Sequence, residues 1–120
     1  MNGILILAHG SRQKSTEDVL HDIVNELKEQ FEGWIIETAF LQFSKTSLKT
    51  GMDKLRQQGI SNIKIIPYFL FDGIHINETI PQEVEEFLNE NPGIEVSIGK
   101  TIGYDKRMVE ILADRVREMA

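Results

Sequence analysis

At 120 residues and 41% hydrophobic content, the chain is sized for one domain around a single core, and residues 1–120 are expected to form it. A formal charge of −6 and a pI near 5.0 argue against nucleic acid or an anionic membrane surface as partner, because both need a basic face. The absence of cysteine excludes disulfides, thiolate metal sites and thiol nucleophiles, which leaves imidazole, carboxylate, hydroxyl and amine groups for any chemistry.

The first apolar run, Ile4 to Ala8, is far too short to span a membrane and follows no charged leader, so a cytoplasmic location is expected. From Gly3 to Ala8 it reads as a buried parallel strand. Val19, Leu20, Ile23, Val24, Leu27 and Phe31 then recur on one helical face, with Ser15 or Thr16 as N-cap and Gly33 as the stop. A second strand is expected over 34–41. Leu48, Met52 and Leu55 set a second helix closed by Gly59, and a third strand runs from Ile63 to Phe69. Pro67 lacks an N–H, so full pairing of that strand is expected only as far as Ile66.

Thr79-Ile80-Pro81-Gln82 has the spacing of a capping box and opens a helix carrying Val84, Phe87 and Leu88, ended by Asn91-Pro92-Gly93. A fourth strand covers 94–98, and Asp105 caps a last helix through Met108, Ile111, Leu112, Val116 and Met119. The sum is β-α-β-α-β-α-β-α. Such alternation predicts an α/β fold with a parallel sheet, helices on both faces and strand order 2-1-3-4. Strands one and three then lie side by side at the topological switch point, so His9 and His75 face one crevice.

His9-Gly10-Ser11 at a strand end has several uses. It could begin an anion-binding turn, but the spacing is too short for a Gly-rich phosphate loop and no Gly-Lys-Ser/Thr follows. It could serve an oxyanion hole, but no Gly-x-Ser-x-Gly elbow is present. It could bind metal together with His75; two imidazoles leave positions open on a divalent ion such as Co²⁺, Ni²⁺ or Fe²⁺. The plain alternative is a hydrogen-bonded His9 and a loop His75. His21 falls about 200° from Val19 around its helix and reads as solvated.

Six acids, Glu78, Glu83, Glu85, Glu86, Glu90 and Glu95, fall between residues 78 and 95 without a Lys or Arg, which reads as a solvated face. Glu78 differs, because three residues from His75 it could reach the same crevice as a ligand or proton carrier. Phe69, Leu70, Phe71 and Ile74 are more apolar than a loop needs and would wall a large flat ligand.

Leu7-Ala8-His9-Gly10-Ser11-Arg12, Ala39-Phe40-Leu41, Pro67-Tyr68-Phe69-Leu70 with Gly73 and His75, and Ile80-Pro81 together resemble the small class II chelatases that load cobalt or iron into sirohydrochlorin. The resemblance covers nearly the whole chain. It implies insertion of a divalent metal (cobalt first, iron or nickel next) into a tetrapyrrole, with His9 and His75 as catalytic metal ligands and His9 as proton acceptor. It also implies that Leu70, Phe71, Asp72, Gly73 and Ile74 line the tetrapyrrole site, with Lys45 a further substrate contact. Arg12, like Lys45, suits the carboxylates of such a substrate. No organic cofactor is implied; the metal is a substrate.

Two positions depart from the family's pattern, Gln42 and Thr79, where acids are usual. They keep open a carrier that binds tetrapyrrole or metal without insertion, and a metal-free phosphate-binding protein is a third possibility. The family's long form fuses two such domains, so a single domain is expected to pair as a homodimer.

Overall fold

A computed structural model describes residues 2–73 and 75–120, with the side chains of His75 and Ile76 outside the description. The elements run β1 (Asn2–Ala8), α1 (Lys14–Lys28), β2 (Ile35–Phe40), α2 (Leu48–Gln57), β3 (Asn62–Pro67), a π-helical turn (His75–Thr79) continuous with α3 (Ile80–Glu90), β4 (Glu95–Ile98) and α4 (Lys106–Met119). All pairings are parallel, in the order β2-β1-β3-β4, as expected. β1 is central because it can be. Gly3 to Ala8 are all buried, a run suited to a strand covered on both faces.

Side-chain alternation divides β1 between two cores. Leu5 and Leu7 pack with Leu48, Met52 and Leu55 of α2 and with Ile80, Val84 and Phe87 of α3. Ile4, Ile6 and Ala8 face the other way, against Leu20 and Val24 of α1 and Ile36 and Phe40 of β2. Helix α2 lies close to the sheet because Gly51 has no side chain: a Cβ there would stand 2.8 Å from Leu5 Cδ1 and 3.0 Å from the Cβ of Ala39.

Three local expectations need correction. Helix α1 begins at Lys14, ahead of Ser15 and Thr16, because Ser11 Oγ accepts from the Gln13 N–H at 3.1 Å and turns the chain early. It stops at Lys28 rather than Gly33; Phe31 leaves the helix to meet Trp34 edge-on, with ring centroids 6.0 Å apart. The Thr79 capping box does not form. Thr79 is itself helical and its side chain caps nothing, since the π-helical turn feeds straight into α3 and its own backbone occupies that end.

Pairing of β3 also continues one residue further than expected, with Leu7 opposite Pro67 and the Tyr68 N–H donating to the Leu7 carbonyl at 2.7 Å. In a parallel ladder alternate residues bond to alternate neighbours. Ile66 and Tyr68 therefore serve β1, while Ile65 and Pro67 point to β4, whose ladder ends at Ile98 opposite Ile65. The proline's missing N–H falls where no partner strand remains. Asp105 does cap α4, accepting from the Arg107 N–H at 2.9 Å, and the paired Arg107 guanidinium holds its carboxyl well below the usual carboxylate range.

Leu5 is fully buried where α2 crosses the sheet. Leu5→Ala is expected to cost about 2–5 kcal/mol, read from the urea midpoint at constant slope.

Candidate functional site

The site forms at the carboxyl ends of β1 and β3. Beyond β2 the chain stays paired with β1: the Leu41 N–H donates to the Ala8 carbonyl at 2.9 Å and the Gln42 N–H to the His9 carbonyl at 3.1 Å. Gly10 permits this. Its φ is +85°, and a Cβ on it would strike the Gln42 carbonyl oxygen. The backbone of His9 is thereby held on the β2 side while its side chain stays exposed. Its ring rests on Phe69, centroids 4.3 Å apart and planes tilted by 50°. Phe69 is buried, and its carbonyl accepts from the Ile102 N–H at 3.0 Å.

Two clefts meet at His9. One, of about 350 Å³, runs between the end of β1 and α1, with Thr16, Val19 and Ile23 on one wall and Tyr68 on the other. The second, of about 460 Å³, is floored by Phe69 and walled by Leu70, Phe71, Asp72 and Gly73. Both volumes fall in the range of small-molecule sites, and both linings are mainly apolar. Phe71 is 81% exposed, an unusual position for a side chain that only filled a core.

The candidate residues fall unevenly around these clefts. Leu70, Phe71, Asp72 and Gly73 share a wall with His9. Asp72 Oδ1 accepts from Thr101 Oγ1 at 3.0 Å, which ties this loop to the one preceding α4. Arg12 is exposed and lies over the Phe43 ring at 5.0 Å. Lys45 is exposed in the 41–47 loop, outside the linings of both clefts. Ile74 and the side chain of His75 lie outside the described residues. The backbone of His75 opens the π-helical turn, where the Asn77 N–H donates to the Gly73 carbonyl at 3.0 Å, and Glu78 is exposed within that turn. Among the described residues no three His, Asp or Glu side chains gather as a metal cluster. His21 is exposed, with Nε2 3.4 Å from Thr38 Oγ1.

Tyr68, Phe43 and Thr101 were not singled out from the sequence as site residues. Tyr68 follows the end of β3 and in the sequence reads as one more strand aromatic. Phe43 adopts φ 56°, a rare conformation for an aromatic residue that nothing in its neighbours announces. Thr101 reaches Asp72 across 29 positions, a separation with no local signature.

The chain belongs to the CbiX family, whose model matches residues 3–119. It is 33% identical over 119 residues to a sirohydrochlorin cobaltochelatase of Sulfurisphaera tokodaii, covering 99% of this chain and 94% of that one. It is 30% identical to a sirohydrochlorin ferrochelatase of Priestia megaterium, covering 98% of this chain but 44% of that one. Among solved structures it resembles the cobalt complex of the sirohydrochlorin chelatase SirB from Bacillus subtilis subspecies spizizenii, with a TM-score of 0.89 and 28% identity over 99% of this chain and 51% of that one. The chain thus spans nearly all of the first relative and about half the length of the other two.

Gly10→Ala forces a side chain into both a left-handed conformation and the Gln42 carbonyl. It is expected to lower stability by at least about 1–3 kcal/mol in urea unfolding and to shift the His9 ring resonances by NMR.

Proposed function

We propose that this chain inserts a divalent metal into sirohydrochlorin or a tetrapyrrole of the same type. The observation that carries the reading is the clamped, outward-facing His9 where two apolar clefts meet at the carboxyl ends of β1 and β3. Family membership and the cobaltochelatase and ferrochelatase relatives support it. Cobalt is the first choice of metal and iron or nickel the next, since each accepts imidazole.

Insertion exchanges the ion's ligands for four pyrrole nitrogens and releases two protons. Imidazole suits both tasks, as a labile ligand and as a base near neutral pH. His9 and His75 hold the ion until the macrocycle takes it over, and the ring nitrogen of His9 that the ion vacates then accepts one of the two protons; the other passes to water or to Glu78, a further ligand or proton carrier. Leu70, Phe71, Asp72, Gly73 and Ile74 form the wall against the macrocycle, while Arg12 and Lys45 meet its carboxylates. The fixed backbone of His9 matters because a base displaced by an ångström loses much of its effect. No organic cofactor takes part. The enzyme works in the cytoplasm as a homodimer of one-domain chains, without nucleic acid or membrane partners.

The test is anaerobic absorbance of sirohydrochlorin with Co²⁺ and catalytic amounts of protein. Wild type is expected to accelerate metallation over many turnovers, and His9→Ala and His75→Ala to lose at least about 100-fold, the scale of a general base. A spectral change only in proportion to added protein would instead mark a carrier. In the same assay Glu78→Gln is expected to slow insertion more than Glu83→Gln; equal rates would remove Glu78 from the mechanism.

A further inference from the structure

The loop that joins β2 to α2 is held in a shape its sequence does not favour. Phe43 adopts φ 56°, in the left-handed region, and among the described residues it is the only one other than glycine to do so. A bulky side chain is disfavoured there, so the conformation persists only where the surroundings over-determine it. Here they do. On one side the Leu41 and Gln42 N–H groups are committed to the Ala8 and His9 carbonyls. On the other the Phe40 N–H donates to the Thr46 carbonyl at 2.8 Å, while Ser44 Oγ accepts from the Thr46 N–H at 3.2 Å and donates to Glu17 of α1 at 3.4 Å.

Burial does not explain an aromatic residue at this position. Phe43 is 51% exposed and belongs to neither core, and Leu41 already anchors the loop against the larger one. What the Phe43 ring meets is Arg12, whose guanidinium carbon stands 5.0 Å from its centroid. Arg12 lies on the short connection between Gly10 and Thr16, both of which line the cleft beside α1, and this places the stacked pair at the rim of the site.

The way Arg12 is held decides what it can bind. A guanidinium fixed by a protein carboxylate commits its N–H fork to that carboxylate. One laid over an aromatic ring is fixed through its face instead, and the N–H groups at its edge stay open to an incoming carboxylate, which they grip with two parallel hydrogen bonds. Among the described residues Arg12 forms no ion pair. A macrocycle that carries its acids on the periphery presents them away from the metal at its centre. A cation at the rim, outside the lining, is therefore well placed to meet them.

We propose that Phe43 is a positioning residue, holding the Arg12 guanidinium by its face so that its donor edge is free for a carboxylate on the rim of the tetrapyrrole. This rests on the functional reading above and adds to it the residue that orients the cation. The left-handed backbone at Phe43 is part of the device. With the loop tied at both ends, that conformation keeps the ring outside the cores and against Arg12, at a position where glycine or asparagine would sit with less strain.

The test is equilibrium binding of metal-free sirohydrochlorin to the full chain, measured by ultrafiltration and absorbance, with steady-state Co²⁺ insertion beside it. Phe43→Gly, Phe43→Tyr, Arg12→Ala and the Phe43→Gly/Arg12→Ala double variant are compared with wild type. Phe43→Gly is expected to weaken binding and raise KM by about 2–5-fold, the scale of an exposed cation–π contact, while kcat changes by less than about two-fold. Its thermal midpoint is expected to stay within about 5 °C of wild type, because glycine suits the backbone at this position. Arg12→Ala is expected to weaken binding at least about 10-fold, the double variant no more than Arg12→Ala alone, and Phe43→Tyr, which keeps the ring, to restore wild-type affinity. A double variant whose loss is the product of the two single losses, or Phe43→Gly binding at wild-type strength, would overturn the positioning role and leave the tetrapyrrole reading intact. Wild type that binds no sirohydrochlorin would overturn both.

Discussion

The approach of the Gly10 backbone to the Gln42 carbonyl is the contact on which the site depends. Only a residue without Cβ fits there, and only because it fits can the chain beyond β2 stay bonded to Ala8 and His9 after the strands have ended. Tyr68, bonded to Leu7, fixes the other flank of β1 in the same way. An exposed histidine therefore sits on a backbone held from two directions, with Phe69 beneath its ring. In the role proposed for His9, holding a metal and then releasing it, this combination keeps the frame still while the coordination changes.

The architecture was legible because its signals are periodic and local. Six buried residues in a row at β1, the spacing of Leu48, Met52 and Leu55, and Asp105 before the last helix each carry their own explanation. Strand order followed from the alternation of elements. Helix starts were harder: Ser11 captured the α1 terminus ahead of Ser15 and Thr16, and the π-helical turn displaced the Thr79 cap, because each outcome depends on a competing backbone bond. His9 and the apolar run through Leu70 and Phe71 stand out by their strand-end positions, whereas Asp72 and Gly73 enter only through the family resemblance. The contacts that fix them, Thr101 to Asp72 and Arg12 over Phe43, join segments 29 and 31 positions apart and leave no trace in local pattern.

The net charge of −6 is spread over both faces of the sheet, and among the described residues Asp72 is the one acid in the linings of the two clefts at His9. The acids of α3 lie on the α2–α3 side of the sheet, where Glu90 meets Lys49 at 3.4 Å, whereas the cleft beside α1 opens on the opposite side. Arg12 lies three residues beyond His9 over the face of Phe43, and among the described residues it forms no ion pair.

The central claim is that His9 and His75, and not His21, handle the metal. Its most direct test is an NMR titration of the imidazole signals with paramagnetic Co²⁺ at substoichiometric levels. The account predicts that the His9 and His75 resonances broaden together while those of His21, exposed on α1 beside Thr38, keep their width. Broadening of all three alike, or of His21 alone, would contradict it.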